Sequence, residues 1–319
     1  MKSKQYTNGT SNAAIVSIAI GNDYLEKWEK FIFPTWALYA QRHDYSIIVY
    51  TEDLLPLEDK HYKKATWQKM LLPEVMNSEY SNITKVAYID SDILINPYAP
   101  DIFKESDLNK INSTSLRCNL PYDINIVLRK LALLRKTYIM NDYPLDSSLF
   151  ITLESLYRYH NLTPQNDEFC AGVLVFSPSK VMKLMSSWFK MYDSSINSVT
   201  NGGDQTHMNY HVQESGLYNR IDYKWQAIWS YEVANFYPFL FEDGFNDIKL
   251  FQKCIKASLF NNYFLHFAGN WPESTKWMDI DFNLSKNELE FYSNLKNYQE
   301  LSLKGQPKGK ISPKSDSHN

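Results

Sequence analysis

The sequence predicts an α/β fold built on a doubly wound sheet with helices on its faces, and three observations predict it. Residues 13–20 are an almost unbroken apolar, β-branched run, the pattern of a strand buried on both faces. Strand-like and helix-like segments then alternate as β-α-β-α-β through residue 89. The last of those strands runs straight into two acids, Asp90 and Asp92, at the carboxyl end where such sheets bind ligands.

The elements follow in order. After the first strand, Gly21-Asn-Asp23 reads as a turn and helix cap. Tyr24, Trp28, Phe31, Thr35 and Tyr39 recur at helical spacing, with Pro34 expected to kink or split that helix. Residues 45–50 read as the second strand, 62–76 as the second helix and 83–89 as the third strand, joined by right-handed crossovers. Further on, 111–118 and 169–176 read as strands, 181–192 as a helix and 263–267 as a strand. A short helix is expected over 204–212, capped by Gly202-Gly-Asp204, and a terminal helix over 285–301. Residues 121–164 are mixed and aromatic, with helical patches at 126–136 and 149–159. No internal repeat or Gly/Ser linker divides the chain. The expected organisation is a flexible N-terminus over 1–12, one catalytic domain over 13–302 and a disordered polar tail over 303–319. Within the domain, 13–118 forms the nucleotide-binding half and 119–302 an irregular acceptor half.

Composition narrows the function. With 319 residues and 44% hydrophobic content, the chain can supply a substantial core. The net charge of −3, with no basic stripe, argues against nucleic-acid binding. Cys118, Cys170 and Cys254 lie far apart, which disfavours a disulfide framework or thiolate zinc site and fits a reducing, cytoplasmic compartment. No signal-peptide core and no stretch long enough to span a bilayer is present, and docking on a membrane surface is compatible with the pattern. Oligomeric state is not legible.

The chemistry-bearing feature is Lys85-Val-Ala-Tyr-Ile-Asp-Ser-Asp-Ile-Leu-Ile95. Residues i and i+2 of an extended backbone point the same way, so Asp90 and Asp92 can face one cleft. Two hard oxygen ligands suit Mn²⁺ or Mg²⁺, and such a metal can hold a diphosphate. Asp279-Ile-Asp281 is an internal control: the same tripeptide, with no strand leading into it, is not read as a metal site.

Four segments in this order are similar to GT-A-fold glycosyltransferases: Asp90-Ser-Asp92, Phe169-Cys-Ala-Gly-Val-Leu-Val-Phe176, Gly203-Asp-Gln-Thr206 and His266-Phe-Ala-Gly269. The chain most resembles the retaining families 8 (glycogenin and galactosyltransferase type) and 34 (galactosyl, mannosyl and xylosyl type). The resemblance implies a Rossmann-like, doubly wound mixed sheet and transfer of a sugar from a nucleoside diphosphate donor, a UDP-hexose by preference, to a glycan or other hydroxyl acceptor with retention. It implies a metal site of Asp90, Asp92 and His266. It places Ala19, Ile20, Gly21 and Tyr24 at the base, with Lys69, Ser91, Gly269, Asn270 and Lys276 also toward the nucleotide sugar. Asp204 and Gln205 become the reaction-centre candidates, and Asp167 and Glu168 could reach the same pocket.

Each role has a plainer alternative. Tyr24 could belong to a helix core stripe, Lys69 could be a solvated helix residue, Asp204 could be only a helix cap, and His266 could be a satisfied core histidine. Two departures from the family stand out. Cys170 occupies the usual asparagine position, and Asn270-Trp-Pro-Glu-Ser-Thr-Lys-Trp277 replaces a compact Lys-Pro-Trp. Competing readings are a haloacid-dehalogenase-like phosphatase, which also ends a strand in Asp-x-Asp, and a non-catalytic carbohydrate-binding protein. A zinc site at His207 and His211 is disfavoured because the glutamate of His-Glu-x-x-His is absent.

Overall fold

The computed structural model describes residues 3–139, 146–148, 150–200, 203–242 and 245–269. Its first strand is one the sequence reading did not include. β1 (Ser3–Thr7) pairs antiparallel with β3, so this part of the expected flexible N-terminus is instead an edge of the sheet. Its half-polar residues fit an edge position, where only one side needs to be apolar.

β2 (Ala13–Ile18) is buried at every residue, as its unbroken apolar run requires. α1 (Asn22–Lys27), a π-helical turn (Trp28–Ile32) and α2 (Phe33–His43) follow. Pro34 sits in the first turn of α2, where its missing N–H costs nothing, and the expected break is the π turn before it. α2 buries Thr35, Trp36, Tyr39 and Ala40; Trp36 Nε1 donates to the Ile93 carbonyl at 2.7 Å. β3 (Ser46–Tyr50) comes next. The expected single second helix is α3 (Ala65–Gln68), a 3₁₀ turn (Lys69–Leu71) and α4 (Leu72–Glu79), with Pro73 opening α4.

β4 (Lys85–Ile89), β5 (Ile93–Ile95) and β6 (Ile111–Thr114) precede α5 (Ile124–Ile139) and α6 (Leu153–Tyr159). β7 (Val173–Phe176) is shorter than the expected 169–176, because residues 170–172 leave the sheet. α7 (Pro178–Lys190) buries Val181, Met185, Trp188 and Phe189 on one stripe against α4. The chain continues through α8 (Gln205–Glu214), β8 (Tyr218–Ile221), β9 (Ala227–Ile228), α9 (Trp229–Phe236), α10 (Ile248–Asn261) and β10 (Phe264–His266). The sequence reading assigned no element to β5, β8, β9, α9 or α10. The expected helix at 285–301, the tail and the Asp279–Asp281 control lie outside the described residues. Among the described residues no helix is long and apolar enough to cross a membrane.

The main sheet has seven strands in the order β1-β3-β2-β4-β7-β6-β8. β2, β3 and β4 are mutually parallel, β7 is antiparallel to β4 and β6, and β6 and β8 are parallel. It is the mixed, Rossmann-like α/β arrangement that the resemblance implies. Strands β2, β4, β6 and β8 therefore end at one edge, where the antiparallel β7 begins: Ile89 pairs with Val173. A second sheet, β5-β10-β9, stands beside that edge.

Candidate metal centre

The strand registers assemble the site. Directly after β4, the Asp90 N–H donates to the Gly172 carbonyl at 2.8 Å, which fixes 170–172 against the first acid. β10 pairs antiparallel with β5, with His266 opposite Ile93, and the Phe267 N–H donates to the Asp92 carbonyl at 3.1 Å. The late histidine is thus brought to the second acid by backbone pairing. His266 Nε2 lies 3.1 Å from Asp92 Oδ1 and 3.9 Å from Asp90 Oδ2. One ligand atom from each of Asp90, Asp92 and His266 falls within 4.8 Å of the others, and this is the only such group found among the described residues. Two carboxylate oxygens and an imidazole nitrogen converging at this separation could hold a divalent metal ion.

The electrostatics mark a place that favours positive charge. Burial disfavours the charged His266 ring, but the Asp92 carboxylate outweighs it and holds the ring's pKa well above the ordinary value. Burial likewise disfavours the Asp92 anion, and His266 reverses that, so Asp92 sits below the usual carboxylate range. Tyr88 donates to Asp90 Oδ1 at 2.5 Å, and its own hydroxyl is pushed far up, first by burial and then by the Asp90 charge.

Lys69 is not a solvated helix residue. It is 3% exposed, donates to the Ala171 carbonyl at 3.1 Å, and lies 3.5 Å from both Asp90 Oδ1 and Asp204 Oδ2. Burial works to lower its pKa, and the two carboxylates more than offset that. Asp204 stands at the start of α8 but makes no side-chain cap bond; it faces Lys69, and burial pushes its carboxyl up to about 6. Tyr24 is 50% exposed, so it is not part of a core stripe. Its hydroxyl is raised, first by the Asp92 charge and then by burial, while its bond to Ser91 works the other way.

Two chambers meet here. The first, about 480 Å³, is lined by Ile20, Tyr24, Lys69, Ser91, Asp204 and the three candidate ligands, among others. Ala19 and Gly21 do not line it: Ala19 is buried with its N–H on the Tyr50 carbonyl, and Gly21 takes φ 100° at the start of α1. The second, about 470 Å³, has apolar walls from Leu116, Phe150, Leu156, Ile228 and Tyr231, with Glu168 among its polar groups. Thr66, Cys170, Gly203, Gln205, Ala268 and Gly269 line both. Gln205 Nε2 donates to Glu168 Oε1 at 2.9 Å. Asp167 turns away from the chambers, bonded to Ser115, Tyr218 and Arg220. Asn270 and Lys276 lie outside the described residues.

Sequence reasoning missed Gly172 and Gln226. A Cβ on Gly172 would stand 2.5 Å from Gln226 Nε2, 2.5 Å from His266 Cε1 and 2.9 Å from Asp90 Oδ2. Gly172 lies inside the 169–176 segment the resemblance singles out and Gln226 lies outside all four segments, and the role of both depends on a close approach that no spacing reveals. His207 and His211 form no metal group; they pack among aromatic rings.

No family model and no curated protein matches the chain. The solved structures it is similar to include glycosyltransferases. One is involved in glycosylation of the major capsid of PBCV-1 (12% identity, 84% of this chain and 100% of that one, TM-score 0.47). A second is the galactosyltransferase LgtC, solved with donor and acceptor sugar analogues (12% identity, 87% and 99% covered, TM-score 0.44). A third is mouse xyloside xylosyltransferase 1 (11% identity, 82% and 99% covered, TM-score 0.40).

Proposed function

We propose that this protein is a metal-dependent glycosyltransferase that moves a sugar from a nucleoside diphosphate, with a UDP-hexose as the expected donor, to a hydroxyl acceptor. The observation that carries the reading is the convergence of Asp90, Asp92 and His266 on the wall of a chamber that shares lining residues with a second one. When bound, Mn²⁺ or Mg²⁺ would offset the charge that grows on a leaving diphosphate. Asp90, Asp92 and His266 would hold it. Tyr24, half exposed above Ser91 and Asp92, offers a ring for a nucleobase to stack on. Lys69 offsets part of the negative charge of Asp90 and Asp204 and so weakens the repulsion an anionic donor would meet in the chamber. Gln205, at the junction of the chambers, has its amide nitrogen committed to Glu168, which leaves its carbonyl oxygen to face developing positive charge on a sugar. The second chamber, with apolar walls and few charged groups, suits a polyhydroxylated acceptor with an apolar face. Retention of configuration rests on the family resemblance.

Thermal shift against UDP-glucose, UDP-galactose, UDP-xylose, UDP-N-acetylglucosamine and GDP-mannose, each with Mn²⁺, tests the reading. A donor should raise the melting temperature only with metal, through mass action on the folded state, and should be hydrolysed slowly in its presence. Asp92→Asn should lose both responses. Stabilisation that ignores metal, or that survives Asp92→Asn, would refute the proposal.

A further inference from the structure

The imidazole of His266 offers its two nitrogens to opposite surroundings. Nε2 faces the acids, while Nδ1 faces the Gln226 amide nitrogen Nε2 at 3.0 Å and Cys170 Sγ at 3.6 Å. A neutral imidazole can give the Nε2 lone pair to a cation only when its one proton sits on Nδ1. That N–H is buried and needs an acceptor. Gln226 is fully buried; its Nε2 meets the His266 ring, and its Oε1 accepts from the Thr114 hydroxyl at 3.2 Å.

A carboxamide exchanges donor and acceptor by a half-turn, and the two orientations are nearly equivalent in shape. With its nitrogen toward the ring, the orientation seen in the structure, Gln226 donates to Nδ1, and the ring proton sits on Nε2 and points at Asp92. With its oxygen toward the ring, it accepts from Nδ1–H, and its nitrogen donates to the Thr114 hydroxyl. A hydroxyl both donates and accepts, so Thr114 satisfies the far end in either orientation. The Cys170 thiol is a weak partner by comparison. Gly172 lets the ring and the amide close together, since any side chain there would push between them.

We propose that Gln226 is the positioning residue of the metal centre: its carbonyl oxygen holds the Nδ1–H of His266 and so presents Nε2 to a divalent cation. Thr114 backs the amide and permits the half-turn. The inference rests on the metal-centre reading of the proposed function.

The test measures Mn²⁺ uptake by the full chain, from the paramagnetic resonance signal of the free ion, in wild type, Gln226→Met and Gln226→Glu. Loss of a partner to a metal-bound histidine typically weakens metal affinity about 10–100-fold, and the near-isosteric Met variant should fall in that range. Glu can only accept from Nδ1–H, so that variant should stay within a few-fold of wild type. Long-range ¹H–¹⁵N spectra of the wild-type histidine rings with Mg²⁺, with the His266 signals assigned through His266→Gln, supply a readout that does not depend on any Gln226 variant folding. The His266 proton should be on Nδ1. Equal Mn²⁺ affinity in wild type and the Met variant, or a proton on Nε2 with Mg²⁺ bound, would overturn the inference alone. Failure of the wild type to take up Mn²⁺ would overturn the metal-centre reading and this inference with it.

Discussion

Lys69 Nζ lies 3.5 Å from Asp204 Oδ2, and both side chains are almost wholly buried. Lys69 reaches Asp90 at the same distance, so one ammonium serves two carboxylates that would otherwise repel across the chamber floor. Removing one partner of a buried ion pair leaves an uncompensated charge, a loss of about 3–5 kcal/mol. Lys69→Met is therefore expected to lower unfolding stability by that order. Adding Asp204→Asn should recover part of it, because the neutral amide removes the orphaned charge. Urea melts of the two single variants and the double variant check this; additive losses would show that the pair is not coupled.

Gly172→Ala should act on the metal centre more than on the fold. The added methyl has no room beside Gln226, His266 and Asp90, and the closest of these are side-chain atoms that can shift. The expected result is a melting temperature within a few degrees of wild type and Mn²⁺ affinity at least about tenfold weaker, as when a ligand's supporting contact is disturbed. Unchanged Mn²⁺ binding in a folded Ala variant would show that the ring and the carboxylate have slack.

The first half of the site was legible because its residues are neighbours in sequence. An apolar strand ending in Asp90-Ser-Asp92 fixes a direction, a burial and a pair of oxygens at once. His266 was reachable only through family resemblance, since the pairing of β10 with β5 that delivers it is a long-range event. Gln226 and Thr114 carry no local signal; they matter because β6, β7 and the turn before β9 converge beneath one ring. The same limit explains the fold. Two-sided burial made β2 and β4 plain, whereas β5, β8 and β9 are short and are defined by their partners. β1 was read as flexible because an edge strand need not be apolar.

The acid limb of stability should belong to the buried histidines of α8. Burial lowers His207 to about 3 and His211 to about 4, against an ordinary value near 6.5. Both stay neutral in the folded protein while the unfolded chain takes up protons, so stability is full above pH 6.5 and falls as pH drops toward 3. Glu232 acts in the opposite sense: burial raises it to about 7, and its contribution is present below pH 4.5 and lost as pH rises through 7. The two effects oppose each other between pH 4.5 and 6.5, and the steep loss is expected below pH 4.5. His207 packs against the rings of Trp67, His160 and Tyr192, and its Nδ1 has no hydrogen-bond partner. His207→Phe should therefore keep the packing and flatten the acid limb. Denaturant midpoints from pH 3.5 to 8 check this, and an unchanged slope in the Phe variant would rule the assignment out.

Gln205 and Glu168 should behave as one unit in catalysis. Glu168 Oε1 holds the Gln205 amide nitrogen at 2.9 Å, and Arg117 Nε stands 3.5 Å from the other carboxylate oxygen. If the Gln205 carbonyl oxygen stabilises charge on the transferring sugar, its aim depends on that hold. Gln205→Leu should then reduce metal-dependent turnover of the nucleotide sugar about 10²–10³-fold, the size seen when one transition-state electrostatic group is removed. Glu168→Leu should reproduce most of that loss without touching the sugar. The double variant should be little worse than Gln205→Leu alone, because the second change removes support for a group already gone. Steady-state rates with the donor found by thermal shift decide the matter. Independent, multiplicative losses would mean that Glu168 acts on substrate directly from the second chamber rather than through Gln205.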